Sequence, residues 1–290
     1  MHAEGWCLVL ALWGEGYGVA EVNRLARDAR ALGPGCRGIV LFSDRPRDGL
    51  DPGITARRFP PFFARPECFG WGHVAKLAVF SRADLPARMR CIYLDLDSVI
   101  TGDLGRLAAL VERPGDIFML PPGNPVGFGR LRRLTFRMTR GRRYAVGNSS
   151  IMAWSSATEP DLAERYRALH AEVGAEPRHM QIDDLFISWA AQGRPRGIPR
   201  TLGVSFRREF LSRLAAVTWA RRVLPHVRRR RAGIVAVTFN GPGVKPERLA
   251  GLPEGARIAD GRGRTGIWSA ADLGPLQARM QTRAALRATE

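Results

Sequence analysis

Cys91-Ile92-Tyr93-Leu94-Asp95-Leu96-Asp97-Ser98-Val99-Ile100, followed by Thr101-Gly102-Asp103-Leu104, is the stretch on which the fold turns. Its apolar, β-branched character reads as a buried strand. Two carboxylates stand at i and i+2 at the end of it. In an extended chain such side chains share one face, roughly 6.5–7 Å apart. Burying an unpaired carboxylate is costly. A hard divalent cation is one remedy, since Mg²⁺ or Mn²⁺ takes carboxylate oxygens and leaves positions open for phosphates. A turn or a cap is the other common meaning of D-x-D. The strand-end position favours the cation, because open α/β sheets place their ligands there.

Upstream, 5–13 reads as a first strand and 14–18 as a turn-rich loop. Apolar residues at 22, 25, 26, 29 and 32 give a helix over 20–32, stopped by Gly33-Pro34-Gly35. A second strand, 38–42, ends at Ser43-Asp44. This β-loop-α-β opening implies parallel strands in an α/β sheet. The loop after the first strand is where a nucleotide would sit. Tyr17 suits stacking on a uracil and Asp44 suits hydrogen bonding to base or ribose; a packed loop tyrosine and a solvated turn aspartate are the alternatives. Residues 45–70 are rich in Pro, Gly and Arg and read as irregular, and 72–82 reads as a helix carrying Lys76.

Downstream, 117–120 is a short strand, 129–143 an arginine run, 145–152 a strand interrupted by small polar groups, and 161–173 a helix. Asp183 and Asp184 open a further helix, where the dipole favours carboxylates whether or not they do chemistry. Residues 207–231 look like an insertion. Phe210, Leu214, Val217 and Leu224 form a stripe, with Leu211 and Trp219 near it, among arginines. A basic amphipathic helix with Trp and Leu is a membrane-surface signature; packing of the same stripe into the core is the alternative. A last strand over 233–239 leads into Asn240-Gly241-Pro242-Gly243-Val244-Lys245-Pro246, and the C-terminal region ends in a helix over 269–289.

The chain has 290 residues and a net charge of +18, which points to polyanionic partners: phosphate-bearing substrates, an anionic membrane surface or nucleic acid. Of its 45 basic residues only Lys76 and Lys245 are lysine. A compact, strongly hydrated ammonium differs from a planar guanidinium, and its retention at two places suggests that a point charge is wanted there. No apolar run reaches the roughly 18 residues of a membrane span, and the N-terminal run lacks the features of a signal peptide. Cys7, Cys36, Cys68 and Cys91 are widely spaced and read as thiols in a reducing cytoplasm. No G-x-G-x-x-G follows a strand, which argues against a Rossmann dehydrogenase. Neither internal repeats nor zinc-ligand spacing occur.

Taken in order, the segments resemble nucleotide-sugar glycosyltransferases of the GT-A fold, in particular the bacterial group related to galactosyltransferases and glycogenin. Leu12-Trp13-Gly14, Tyr17-Gly18 and Val22-Asn23-Arg24-Leu25 look like the first strand, loop and helix. Phe42-Ser43-Asp44 looks like the end of the second strand, 72–80 like the lysine-bearing helix, and 91–97 like the D-x-D strand. Gly147-Asn148-Ser149-Ser150-Ile151-Met152-Ala153-Trp154 and Phe239-Asn240-Gly241 with Lys245-Pro246 look like two later motifs. The resemblance covers about residues 6 to 250. It implies a mainly parallel α/β domain over 1–250, with the basic insertion at 207–231, and a tail over 251–290 bearing a short helix.

It further implies a metal-dependent transfer of a sugar from a nucleoside-diphosphate donor, such as a UDP-sugar, to a glycan or lipid-linked acceptor. Asp95, Asp97 and Asn240 would hold Mn²⁺ or Mg²⁺, with Asn240 standing where the family carries histidine. Trp13, Tyr17, Asp44, Lys76, Asp95, Asn148, Ser149, Ser150, Gly241 and Lys245 would contact substrate. Asp183, Asp184 and Lys76 would take part in catalysis. The enzyme is expected in the cytoplasm or at the inner face of the membrane, and nucleic acid is not expected as its partner. The alternative function is a non-catalytic protein whose arginine-rich face binds anionic lipid, polysaccharide or nucleic acid.

Overall fold

A computed structural model describes residues 3–121, 134, 136–140, 142, 145–191, 195–274 and 276–280. The chain divides into two compact units. Unit 1 comprises Met1–Leu96 and Gly105–Ile198; unit 2 comprises Asp97–Leu104 and Pro199–Glu290. The span expected as one domain, 1–250, is thus shared between them.

Unit 1 opens with β1 (Trp6–Leu12), α1 (Val19–Leu32) and β2 (Cys36–Ser43), as the periodicity predicts. All seven residues of β1 are buried, the mark of a strand covered on both faces. In α1, Val22, Leu25, Ala26 and Ala29 form the buried stripe. β3 (Ile54–Arg58) pairs parallel with β2 inside the segment read as irregular. It is an edge strand with four of five residues exposed, so it needs no apolar alternation to be stable in place.

β4 (Arg90–Leu94) lies parallel to β1. The chain then passes through β5 (Val99–Ile100) of unit 2 and returns with β6 (Ile117–Leu120), β7 (Asn148–Ser155) and β8 (Arg196–Gly197). The seven-stranded order is β3-β2-β1-β4-β7-β6-β8, with β7 antiparallel to both neighbours. α2 (Leu162–Val173) is capped by Asp161, which accepts from the N–H groups of Ala163 and Glu164. α3 (Asp183–Ala190) follows. Phe42, Phe80, Tyr93, Trp154, Tyr166 and Phe186 are prominent in the core.

Unit 2 centres on a small sheet, β5-β10-β9, of β9 (Gly203–Ser205) and β10 (Ala236–Thr238) with β5. A hairpin of β11 (Arg257–Ala259) and β12 (Thr265–Ile267) adds to it. Phe206, Phe239 and Trp268 are fully buried in its core.

The 207–231 segment forms not one helix but a turn, Phe206–Glu209, and two helices, α4 (Ala215–Val223) and α5 (Pro225–Ala232). Pro225 at the start of α5 ends the continuity. The expected stripe divides accordingly. Leu211 is buried, Phe210 and Val217 are half-buried, and Leu214, Trp219 and Leu224 are exposed, as is Val223 beside them. The arginine run divides too. Arg230 and Arg231 reach the buried Glu209 at 2.9 Å each, with Arg200 at 2.8 Å, while Arg228 and Arg229 remain exposed. Burial would raise the Glu209 pKa, but the hydrogen bonds from Arg230 and Arg231 outweigh it and hold the carboxyl below its usual range.

Three of the four cysteines are buried, and all four are free thiols. Among the described residues no helix is long and apolar enough to cross a membrane. Arg130, Arg132, Arg133 and Arg143 of the expected arginine run, and the end of the expected C-terminal helix, lie outside the described residues.

Candidate active site

The strand of the D-x-D segment stops at Leu94, and Leu96 and Asp97 form a turn. The extended run that the spacing of Asp95 and Asp97 suggests therefore ends between them. The N–H of Asp95 donates to the Ser150 carbonyl at 3.0 Å, one register step beyond the Leu94–Ile151 pair of β4 and β7, and the chain turns only after it. Asp95 belongs to unit 1 and Asp97 to unit 2, and each meets its own lysine.

In unit 1, Lys76 sits in a buried 3₁₀ turn, Val74–Phe80. Its Nζ lies 2.9 Å from Asp95 Oδ1, 3.1 Å from Ser149 Oγ and 3.4 Å from Asp183 Oδ2. Tyr93, two residues before Asp95, donates its hydroxyl to Asp95 Oδ1 at 2.9 Å. Ser149 Oγ donates to Asp183 Oδ2 at 2.6 Å and its N–H to Asp184 Oδ1 at 2.6 Å; Asn148 Nδ2 donates to Asp184 Oδ2 at 3.1 Å. Gly72, at φ +96°, offers its carbonyl to the Asp183 N–H at 3.0 Å.

One buried ammonium thus serves two carboxylates, Asp95 and Asp183, with Asp184 beside the second, and the electrostatics follow. Burial alone would lower the Lys76 pKa; Asp95 and then Tyr93 and Asp183 hold it well above its ordinary value. Burial would raise Asp95, but the Lys76 ammonium holds it down. Asp184 is pushed up to about 6, by burial and then by Asp183. Its native pKa is raised, so the native state binds more protons than the unfolded chain between about pH 4 and 6, and stability falls with rising pH across that window. Asp184→Asn keeps an acceptor for the Ser149 N–H and carries no charge. It is expected to raise Tm relative to the wild type at pH 8 and to leave it nearly unchanged at pH 5; thermal melts at the two pH values check this.

In unit 2, Asp97 is buried and its Oδ2 lies 2.6 Å from Lys245 Nζ. Thr238 Oγ1 lies 3.3 Å from Asp97 Oδ1 and 2.8 Å from Asn240 Oδ1, so it can donate to either. Carboxylate, amide and hydroxyl oxygens thus converge beside an ammonium that stands in for a cation. This donor set suits a hard ion held by two protein groups, Asp97 and Asn240, with water or phosphate completing its shell. Among the described residues no group of three His, Cys, Asp or Glu forms a fuller metal cage.

The remaining expected residues are placed less directly for chemistry. Trp13 packs on Phe59, Phe69 and His73 with ring centroids 6.0–6.2 Å apart. Asp44 accepts from the Gly14 N–H at 3.0 Å and from Arg47 at 2.7 Å, which clamps the loop after β1. Burial would raise its pKa, but these partners hold it low. Tyr17 is half-buried in that loop. Ser150 is buried and supports Asp95 through its carbonyl. Gly241 adopts φ +109° beside Arg207. Sequence reading missed Tyr93 and Thr238. Strand alternation was the signal for both, since each lies two residues before a group already singled out.

No family model matches the sequence, and no curated protein sequence matches it. Solved structures do match in fold. An active-site mutant of LgtC superposes with a TM-score of 0.52 at 12% identity, covering 83% of this chain and 89% of that one. The galactosyltransferase LgtC in complex with donor and acceptor sugar analogues gives 0.52 at 14%, covering 83% and 88%. The apo structure of WbbM, a bifunctional glycosyltransferase, gives 0.55 at 12%, covering 84% of this chain and 47% of that one. The chain has the α/β architecture of the GT-A glycosyltransferases.

Proposed function

We propose that this GT-A-fold chain is a glycosyltransferase that moves a sugar from a nucleoside-diphosphate donor, a UDP-sugar, to a hydroxyl of a glycan or lipid-linked acceptor. The observation that carries the reading is the buried Asp97 with Asn240 and the Lys245 ammonium on one spot of such a fold. Transfer leaves a diphosphate whose charge grows as the sugar departs. A divalent ion, Mn²⁺ or Mg²⁺, held by Asp97 and Asn240 supplies Lewis-acid stabilisation of that charge. The Lys245 ammonium adds a positive charge for the diphosphate oxygens. Asp183 and Asp184, with Asn148 and Ser149, present acceptors and donors for sugar hydroxyls. Asp184, ionising near 6, is matched to taking the acceptor proton at neutral pH. Lys76 acts through the carboxylates it holds.

The test is release of UDP from UDP-sugars by purified protein, with and without Mn²⁺. Metal-stimulated release is expected, reduced on the order of a hundredfold or more in Asp97→Asn with its circular dichroism unchanged. Release equal in wild type and variant removes Asp97 from the site, and failure of UDP-, GDP- and ADP-sugars alike overturns the reading.

The exposed Leu214, Trp219, Val223 and Leu224, beside the exposed Arg213, Arg228 and Arg229, favour contact with an anionic lipid surface, where a lipid-linked acceptor is presented. Each arginine near such a surface contributes about 1 kcal/mol, screened within a Debye length. Arg230 and Arg231 are engaged with Glu209 and are left out of this surface. Co-sedimentation with anionic but not neutral vesicles is expected, lost at high salt and in the Trp219→Ser, Arg228→Ser, Arg229→Ser variant. No sedimentation at low salt sinks the membrane contact and leaves the transferase reading in place.

A further inference from the structure

The geometry points to Lys245 as an internal counter-cation of Asp97, which a divalent metal must displace before it binds and which is thereby released for the diphosphate. The inference rests on the metal position proposed above and adds its regulation: metal uptake is an ion exchange.

The two partners differ in freedom. The Asp97 side chain is 8% exposed, and one of its oxygens faces Thr238. Lys245 is 33% exposed at the end of a flexible four-carbon stem. Its backbone is fixed, extended at φ −64° and ψ 142°, just before the helical turn Pro246–Ala250. The ammonium can therefore leave while the carboxylate stays. At 2.6 Å, Nζ lies where a metal would approach Oδ2. An ammonium and a divalent ion cannot share that spot, because like charges in contact within a partly buried site repel strongly.

Two consequences follow. Without nucleotide, the metal competes against the protein's own cation and its apparent affinity is reduced. With nucleotide, the displaced ammonium finds phosphate oxygens, so metal and diphosphate favour each other's binding, and by linkage the coupling is reciprocal. The pair also keeps a buried carboxylate neutralised in the ligand-free protein, avoiding the cost of leaving it alone.

Titration with Mn²⁺ alone, followed by the electron paramagnetic resonance signal of the free ion, tests this on the full chain. Lys245→Met is expected to bind Mn²⁺ about ten- to a hundredfold more tightly than the wild type. Lys245→Gln, which keeps length and a hydrogen-bond donor without the charge, is expected to tighten binding in the same direction and covers the case in which Lys245→Met folds poorly. Lys245→Arg should stay close to the wild type. Adding UDP should tighten Mn²⁺ binding markedly in the wild type and much less in the charge-removed variants. Equal or weaker Mn²⁺ binding in both charge-removed variants overturns the exchange. Absence of Mn²⁺ binding in every form overturns it together with the metal position, whereas metal-independent UDP release would still uphold sugar transfer.

Discussion

Lys76→Met is expected to lower stability by about 3–5 kcal/mol, the range for removing one partner of a buried ion pair. The side chain is 6% exposed, and its loss removes the ammonium that pairs with both Asp95 and Asp183. Methionine fills similar volume, so the loss is electrostatic rather than a cavity. Asp95 retains the Tyr93 hydroxyl and Asp183 retains Ser149, but neutral donors compensate a buried carboxylate only in part. Urea denaturation at pH 8 reads the effect. The double variant Lys76→Met, Asp95→Asn should recover part of the loss, because it removes a stranded charge. A loss below about 1 kcal/mol in Lys76→Met would show that water reaches the cluster and that the lysine is not its keystone.

Gly72→Ala is expected to be nearly as severe, at about 3 kcal/mol or more. A Cβ at this position would stand 1.8 Å from the Gln181 carbonyl oxygen, a backbone atom with little room to retreat. The φ of +96° adds strain for any L side chain. The damage is local to the site, since the Gly72 carbonyl holds the Asp183 N–H. Gly14→Ala is the matched control: its φ is +64° with nothing within 4 Å of the added carbon, and about 1 kcal/mol is expected from conformation alone. Equal losses in the two variants, read by urea denaturation, would show that the close approach to Gln181 carries no weight.

How much of this was legible in the sequence depends on the distance between cause and effect along the chain. The opening β1–α1–β2 was, because strand and helix periods are local and Gly33-Pro34-Gly35 marks the join. β3 was not, because an edge strand with one flank in solvent can be written Ile-Thr-Ala-Arg-Arg without alternation. The two carboxylates at 95 and 97 were found, but the turn that parts them was not, since Asp95 still keeps register with Ser150, 55 positions away, and the chain turns only at Leu96 and Asp97. The special standing of Lys76 and Lys245 was visible in composition alone. Their partners were not, since Lys76 meets Ser149 and Asp183, and Lys245 meets Asp97, across long stretches of chain. Likewise four consecutive arginines look uniform until one buried glutamate selects Arg230 and Arg231.

The unequal exposure of the two lysines has a consequence for chemical labelling. In a chain with 43 arginines, Lys76 and Lys245 carry the only side-chain primary amines, at 6% and 33% exposure. Acylating reagents aimed at ε-amines thus meet one accessible target per molecule. The rate at which Lys245 is modified becomes a direct reporter of whether its ammonium is docked on Asp97 or has let go.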